Sequence, residues 1–171
     1  MDVYAELVRI GAGRPNPEST FGDPALARVV LAEWMGEQAF KDLVHAYVRG
    51  DPTAELARSV LALVRPAAAM HACYAVFDGD GAIEGRRAAV ELLRVVADAQ
   101  ALDWIDQFLD DPDPEIQRWG ALVLDRLVYD ELVEPEAAEP AISAGEMHEN
   151  PRVREQMRWI REALYRRRTG R

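Results

Sequence analysis

The pair Asp113-Pro114, set in the acidic turn Asp110-Asp111-Pro112-Asp113-Pro114, limits what this chain can become more than any other feature. Proline has no N–H and is tolerated at the first position of a helix, where no intrahelical bond is lost. An aspartate just before it is placed to accept hydrogen bonds from the free N–H groups of that first turn. A helix is therefore predicted to begin at Pro114. Downstream, Ile116, Trp119 with Gly120, Val123 and Leu127 recur every three or four residues, and Leu124 and Val128 widen them into one apolar stripe. A helix with such a stripe has to lay it against a neighbour.

The same punctuation returns along the chain. Asp23-Pro24, Asp51-Pro52 and Asn150-Pro151 repeat the cap-and-proline start, and Ala82 stands in the same place after the turn Asp78-Gly79-Asp80-Gly81. Starts at 23, 51, 82, 113 and 150 lie 28, 31, 31 and 37 residues apart, a near-period that points to stacked helical hairpins rather than to one bundle. Ahead of them, residues 2–10 carry Val3, Leu7, Val8 and Ile10 on one side, and the glycines and prolines of 11–22 read as a loop. The first pair is a helix up to Gly36 and a second that turns Phe40, Leu43, Val44, Tyr47 and Val48 inward and stops at Gly50. In the next, Leu56, Val60, Leu63 and Val64 face inward until Pro66, and the small residues of 66–77 supply the partner helix. Residues 83–97 bury Ala89, Leu92, Leu93 and Val96 and pair with a short helix over 100–109, through Leu102, Ile105, Phe108 and Leu109. The unit from Pro114 pairs with an irregular helix over 134–148, interrupted by Pro140 and Gly145. Val153, Met157, Ile160 and Leu164 close the series before the chain frays at 166–168. No alternating apolar run with a hairpin turn competes with this helical reading.

Three stretches carry a family likeness. Asn150-Pro151-Arg152-Val153-Arg154, the run Gly85-Arg86-Arg87-Ala88-Ala89-Val90-Glu91-Leu92-Leu93, and Asp113-Pro114-Glu115-Ile116 resemble HEAT repeats, in particular the short bacterial HEAT-like repeats first named for phycobilisome lyases. Gln117 stands where that pattern has arginine, and the likeness runs from about 82 to 164 and is looser before it. It implies an all-α fold, a right-handed α-solenoid of stacked antiparallel hairpins with about five repeats and about ten helices. The expected organisation is a single domain over 1–171, with a loop at 11–22 and a basic tail at 165–171.

Charge is divided unevenly. Residues 98–149 hold 15 acids against Arg118 and Arg126, a net −13, whereas 152–171 hold eight arginines against Glu155 and Glu162, a net +6. An acidic body repels phosphate backbones and attracts basic proteins from a distance, so nucleic acid is disfavoured as a partner. The arginine tail has three readings: a solvated cap, a strap folded onto the acidic body, or a contact to nucleic acid. No run of apolar residues reaches membrane-span length and the first residues are acidic, from which a cytoplasmic location is expected. The single cysteine, Cys73, lies among Ala72, Tyr74 and Ala75 and reads as core.

Residues able to carry chemistry are scattered. The acids around Asp110, Asp111, Asp113 and Glu115 are interrupted by prolines where a calcium loop needs ligands, and Asp78-Gly79-Asp80-Gly81 lacks later ligands, so both read as turns. His45, His71 and His148 fall in different hairpins, and no nucleophile elbow or phosphate loop appears. The expectation is a non-enzymatic protein without catalytic residues, metal or cofactor. Trp34, Trp104, Trp119 and Trp159 invite comparison with HEAT-like DNA glycosylases, which use tryptophan beside aspartate; Asp103, Trp104 and Asp106 would be the residues concerned. Trp119 and Trp159 read as packing residues, and Trp104 as partly exposed. If second helices line the concave face, Asp103, Trp104, Asp106, Gln107 and Asp110 form an acidic groove with an aromatic anchor, continued by Asp130, Glu131 and Glu134. The function that follows is non-catalytic binding of a basic protein. Its most specific form is an immunity-type inhibitor of a basic toxin domain; a general adaptor or lyase-like assembly factor and a HEAT-like glycosylase are the alternatives.

Overall fold

Asp113 caps its helix as the spacing predicts. Its Oδ1 accepts from Glu115 N at 3.0 Å and Ile116 N at 3.1 Å, and Pro114 is the first helical residue. The computed structural model of the protein describes residues 24–169, and all regular structure in them is helical. In order these are α1 (Pro24–Val48), α2 (Ala54–Val64), α3 (Ala67–Asp78), α4 (Ile83–Val96), a 3₁₀ segment (Ala99–Trp104) continued by α5 (Ile105–Leu109), α6 (Pro114–Tyr129), α7 (Pro135–Glu146) and α8 (Pro151–Thr169). The expected helix at 2–10, the loop at 11–22 and the cap at Asp23 lie outside the described residues.

Most predicted boundaries hold, and each departure has a local cause. Gly36 interrupts α1 at φ +74° and ψ 157°, a conformation open to glycine and strained for other residues, so its two segments are separate helices in all but name. Asn150 Oδ1 accepts from Arg152 N at 3.0 Å and starts α8. Asp51 does not cap α2, because Arg49 Nη2 holds its carboxylate at 2.8 Å and the helix begins three residues later, at Ala54. α7 runs straight through Pro140, which sits on the exposed side of the helix. α8 continues to Thr169 instead of fraying, and its end is tied down by Arg167, which donates to Val128 O at 3.0 Å and Tyr129 O at 2.8 Å.

The helices form two rows. α2, α4, α6 and α8 pack side by side; α1, α3, the 3₁₀ segment with α5, and α7 follow one another on the other side. The closest pairs across the rows are α1 with α2, α3 with α4, α5 with α6, and α7 with α8. Hairpins are thus phased one helix earlier than the Asp-Pro starts suggest, and α6 touches α7 more sparsely than α5. Glycine explains the phase. A Cβ on Gly120 would lie 2.5 Å from Phe108 Cβ, so α6 can approach α5 this closely only without a side chain there.

Between the rows runs one continuous apolar core, from Phe40 and Val44 through Cys73, Leu92, Phe108 and Leu124 to Ile160. α2 departs from expectation here: it buries Ala57, Leu61 and Val64 and leaves Leu56 exposed by 67% and Leu63 by 61%. Two adjacent apolar stripes compete on that helix, and the one containing small Ala57 is the one that meets its neighbours. No helix of the described residues is long and apolar enough to cross a membrane.

Candidate functional site

Beyond α1, sorting the basic residues by row separates them almost completely. Every arginine between 54 and 169 lies on α2, α4, α6 or α8, except Arg65, which directly follows α2. α3, the 3₁₀ segment, α5 and α7 contain six acids and no lysine or arginine. The sequence shows a blockwise division; beyond α1 the fold gathers the basic residues on one row.

Arginines of the second row reach back to fasten the ends of the first. Arg86 donates to Phe77 O at 2.8 Å, closing α3, and to Asp111 Oδ2 at 2.5 Å, in the turn after α5. Asp111 is only 6% exposed, and it also accepts from Asp113 N. Arg87 Nη2 pairs with Asp113 Oδ2 at 2.6 Å, and this guanidinium, with the capped N–H groups, holds the Asp113 carboxyl below the usual carboxylate range. Arg161 bridges Glu139 and Glu146 on α7. The acidic turn at 110–115 is therefore built from caps and ion pairs, and no group of three or more His, Cys, Asp or Glu side chains among the described residues is arranged to hold a metal ion.

What remains unpaired is the outer side of the first row. Asp78, Asp103, Asp106, Asp110 and Glu136 are exposed, and their carboxylates make no bond within the described residues. On the same row Tyr74 Oη donates to Gln107 Oε1 at 2.7 Å and His71 Nε2 lies 3.1 Å from Gln100 Oε1. Beneath it sits Trp104, 8% exposed, stacked on Tyr74 with ring centroids 4.3 Å apart and edge-on to His71 at 6.2 Å.

Burial of Trp104 corrects the expectation that it is partly exposed. An α-helix starting at Gln100 would carry Leu102, Ile105 and Leu109 inward and leave Trp104 beside them. The observed 3₁₀ turn eclipses residues three apart, which puts Ala101 and Trp104 together against the core and leaves Leu102 half-buried. Trp104 thus backs the acidic surface and joins α3 to it; it is not an anchor offered to a partner.

The eight expected contact residues fall into two groups. Asp103, Asp106, Gln107 and Asp110 lie exposed on the first row. Asp130 is instead committed to the fold, paired with Arg65 at 3.0 Å and Arg126 at 2.7 Å across the ends of α2 and α6. Glu131 meets Arg167 at 3.5 Å, so the tail folds onto the body there, the second of its three readings. Glu134 is exposed on the rim of a cleft of about 960 Å³ whose apolar side includes Val128, Val133 and Leu164.

One feature was missed. Trp159, read as a packing residue, is 57% exposed. The signal was available: Val153, Met157, Ile160 and Leu164 define the inward stripe of α8, and Trp159 lies nearly opposite it on a helix of 3.6 residues per turn. Trp119 is half-buried, with the Arg118 guanidinium over its ring at 4.8 Å and that of Arg94 at 5.7 Å. Comparison with known proteins adds no relative: no family model, no curated protein and no solved structure matches this chain.

Proposed function

We propose that this protein is a HEAT-like helical array, a right-handed solenoid of about five repeats, that works without catalysis by holding a basic protein on its acidic row. The observation that carries this reading is the set of carboxylates without a partner among the described residues, Asp78, Asp103, Asp106, Asp110 and Glu136, on or next to helices without a single lysine or arginine. Uncompensated charge of one sign over several helices steers a partner of opposite sign and rejects like-charged ones. Within that class the preferred form is an inhibitor of the immunity type, which masks a basic active surface of a toxin domain in the cytoplasm. Size and charge support it, and a phosphate-bearing partner fits poorly, because a nucleic-acid backbone approaching Asp103 and Asp106 meets only like charge.

The test is capture of partners from the source cells by the wild-type chain and by the double variant Asp103→Arg/Asp106→Arg, washed at low and then high salt and identified by mass spectrometry. One basic protein retained by the wild type at high salt and lost from the variant supports the inhibitor reading. Several partners that wash off together favour an adaptor. Equal retention by both forms removes the acidic row as the site.

A further inference from the structure

The loop between α7 and α8 buries little of itself. Met147 is 82% exposed and Glu149 is exposed, so neither anchors it, and α7 touches α5 and α6 only sparsely. What reaches across is His148. Its Nε2 lies 2.9 Å from Leu109 O at the end of α5, and its Nδ1 lies 3.0 Å from the backbone nitrogen of Asn150. Asn150 in turn donates from Nδ2 to Pro114 O at 3.0 Å and to Gln117 Oε1 at 2.9 Å, while its Oδ1 starts α8. One ring and one amide side chain thus join the fourth hairpin to the third.

These partners dictate how the ring is protonated. A carbonyl oxygen only accepts, so Nε2 carries the hydrogen; a backbone N–H only donates, so Nδ1 carries none. The joint therefore requires the neutral Nε2–H tautomer. An imidazolium has N–H on both nitrogens, and the second would point at the Asn150 N–H. Of the charged side chains on the elements that meet here, Asp111, Asp113, Glu115 and Glu146 are each bound to arginine, that of Glu115 including Arg152 of α8. Arg154 donates to His148 O at 2.6 Å and to Glu149 O at 2.8 Å. Asp106 and Asp110 on the α5 side and Glu149 in the loop have carboxylates that make no bond within the described residues. A carboxylate that meets the imidazolium stabilises its charge and still leaves the Asn150 N–H without an acceptor, so it favours release.

We propose that His148 is a proton-sensitive pin: a proton taken up at Nδ1 frees the Asn150 N–H, detaches the loop 147–150 from the end of α5 and loosens the joint between the third and fourth hairpins, while the rest of the fold persists. Histidine is the side chain whose charge ordinarily changes in mildly acidic solution, and here both bonds of the ring belong to its neutral form alone. Opening at this joint shifts Glu136 on α7 relative to Asp106 and Asp110 on the α5 side. Acid then alters the spacing within the acidic row, whether or not that row holds a partner.

The test uses the full chain, isotope-labelled for nuclear magnetic resonance of its ring and amide nitrogens. At about pH 8 the His148 ring should show the Nε2–H tautomer alone. Between about pH 8 and about pH 5 the protection of the Asn150 amide against hydrogen exchange, corrected for the intrinsic pH dependence of the rate, should fall about tenfold or more, whereas the amides of α3 and α4 keep theirs. His148→Asn supplies a side-chain oxygen that accepts from the backbone N–H two residues on and takes up no proton in this range, so protection at Asn150 should then be equal at both pH values. His45→Asn, which removes an exposed histidine from α1, should leave the acid loss in place. An Nδ1–H tautomer at the higher pH, equal protection at both pH values in the wild type, an acid loss that persists in His148→Asn, or a loss spread evenly over α3 and α4 overturns the proposal.

Discussion

The two rows of helices are built alike and use charge in opposite ways. In the second row several arginines are taken up by the fold: Arg86, Arg87, Arg126 and Arg161 are bound to carboxylates or carbonyls at or near helix ends. In the first row beyond α1, Asp78, Asp103, Asp106, Asp110 and Glu136 have no partner among the described residues. The surface field therefore reflects what is left over after folding rather than the composition of each row. Many arginines of one row are taken up by internal pairs, whereas five acids of the other stay unpaired among the described residues, and this difference is why the acidic row is the stronger candidate for partner recognition.

The comparison is broken most severely by removing an arginine that the fold depends on. Arg86→Ala leaves Asp111 buried without its cation and α3 without a donor at Phe77 O, and is expected to cost about 3 kcal/mol in chemical denaturation. Adding Asp111→Asn should recover a large part of that loss, since the uncompensated charge is its main source. Asp103→Ala and Asp106→Ala, on the first row, should change stability by less than about 0.5 kcal/mol. If the first-row changes cost as much as Arg86→Ala, the distinction between structural and spare charges fails.

Next in size is the contact that sets the distance between rows. Gly120→Ala drives a Cβ toward Phe108 Cβ, an atom fixed next to the backbone, and is expected to lose about 1–3 kcal/mol despite the better helix propensity of alanine. Gly145→Ala is the control. There the atoms met are Met157 Cγ, Cε and Sδ, at 2.5–3.1 Å, which belong to an unbranched side chain more adaptable than a ring. Its cost should be clearly smaller, and equal melting temperatures for the two variants would show that α5 and α6 are not closely apposed.

How much of this was legible beforehand differs by feature. The caps at Asp113 and Asn150, the stripes of α4 and α6, and an all-helical chain follow from local chemistry that does not depend on distant contacts. The hairpin phase was not legible, because it rests on which neighbour meets Gly120. Trp104 was misplaced by a change of helical pitch over six residues, and Asp130 by a pairing with Arg65, 65 positions away. Trp159 was legible and overlooked. Of the expected contact residues, Asp103, Asp106 and Asp110 stay unpaired among the described residues because their own helices carry no cation, a fact written in the sequence once the rows are known.

A smaller effect separates the cap from its ion pair. Asp113→Asn keeps a side-chain acceptor for the helix N-terminus but loses the charge that faces Arg87, and should cost about 1 kcal/mol at neutral pH. Because Arg87 and the capped N–H groups depress the native titration of Asp113, its stabilising contribution is present above the ordinary carboxylate range and is lost as pH falls through the depressed value. The difference between wild type and variant should therefore shrink toward zero in strong acid. A difference independent of pH would assign the effect to the cap alone.

Asp125 runs the other way and is the finest test of the contrast. It lies on α6 in the arginine row, yet burial raises its titration against the opposing pull of Arg94, the Gln156 hydrogen bond and Arg126. A carboxyl raised in the native state favours folding while it is protonated, so its contribution is present below the ordinary carboxylate range and is lost as pH rises through the raised value. Asp125→Asn, neutral at every pH, should then be more stable than wild type at neutral pH and equal to it in acid. Solvent still reaches this half-buried side chain, which limits the gain to about 0.3 kcal/mol. Denaturation midpoints at two pH values decide the sign. A loss at neutral pH would mean that Arg94 outweighs burial and that this acid, too, is held by the arginines around it.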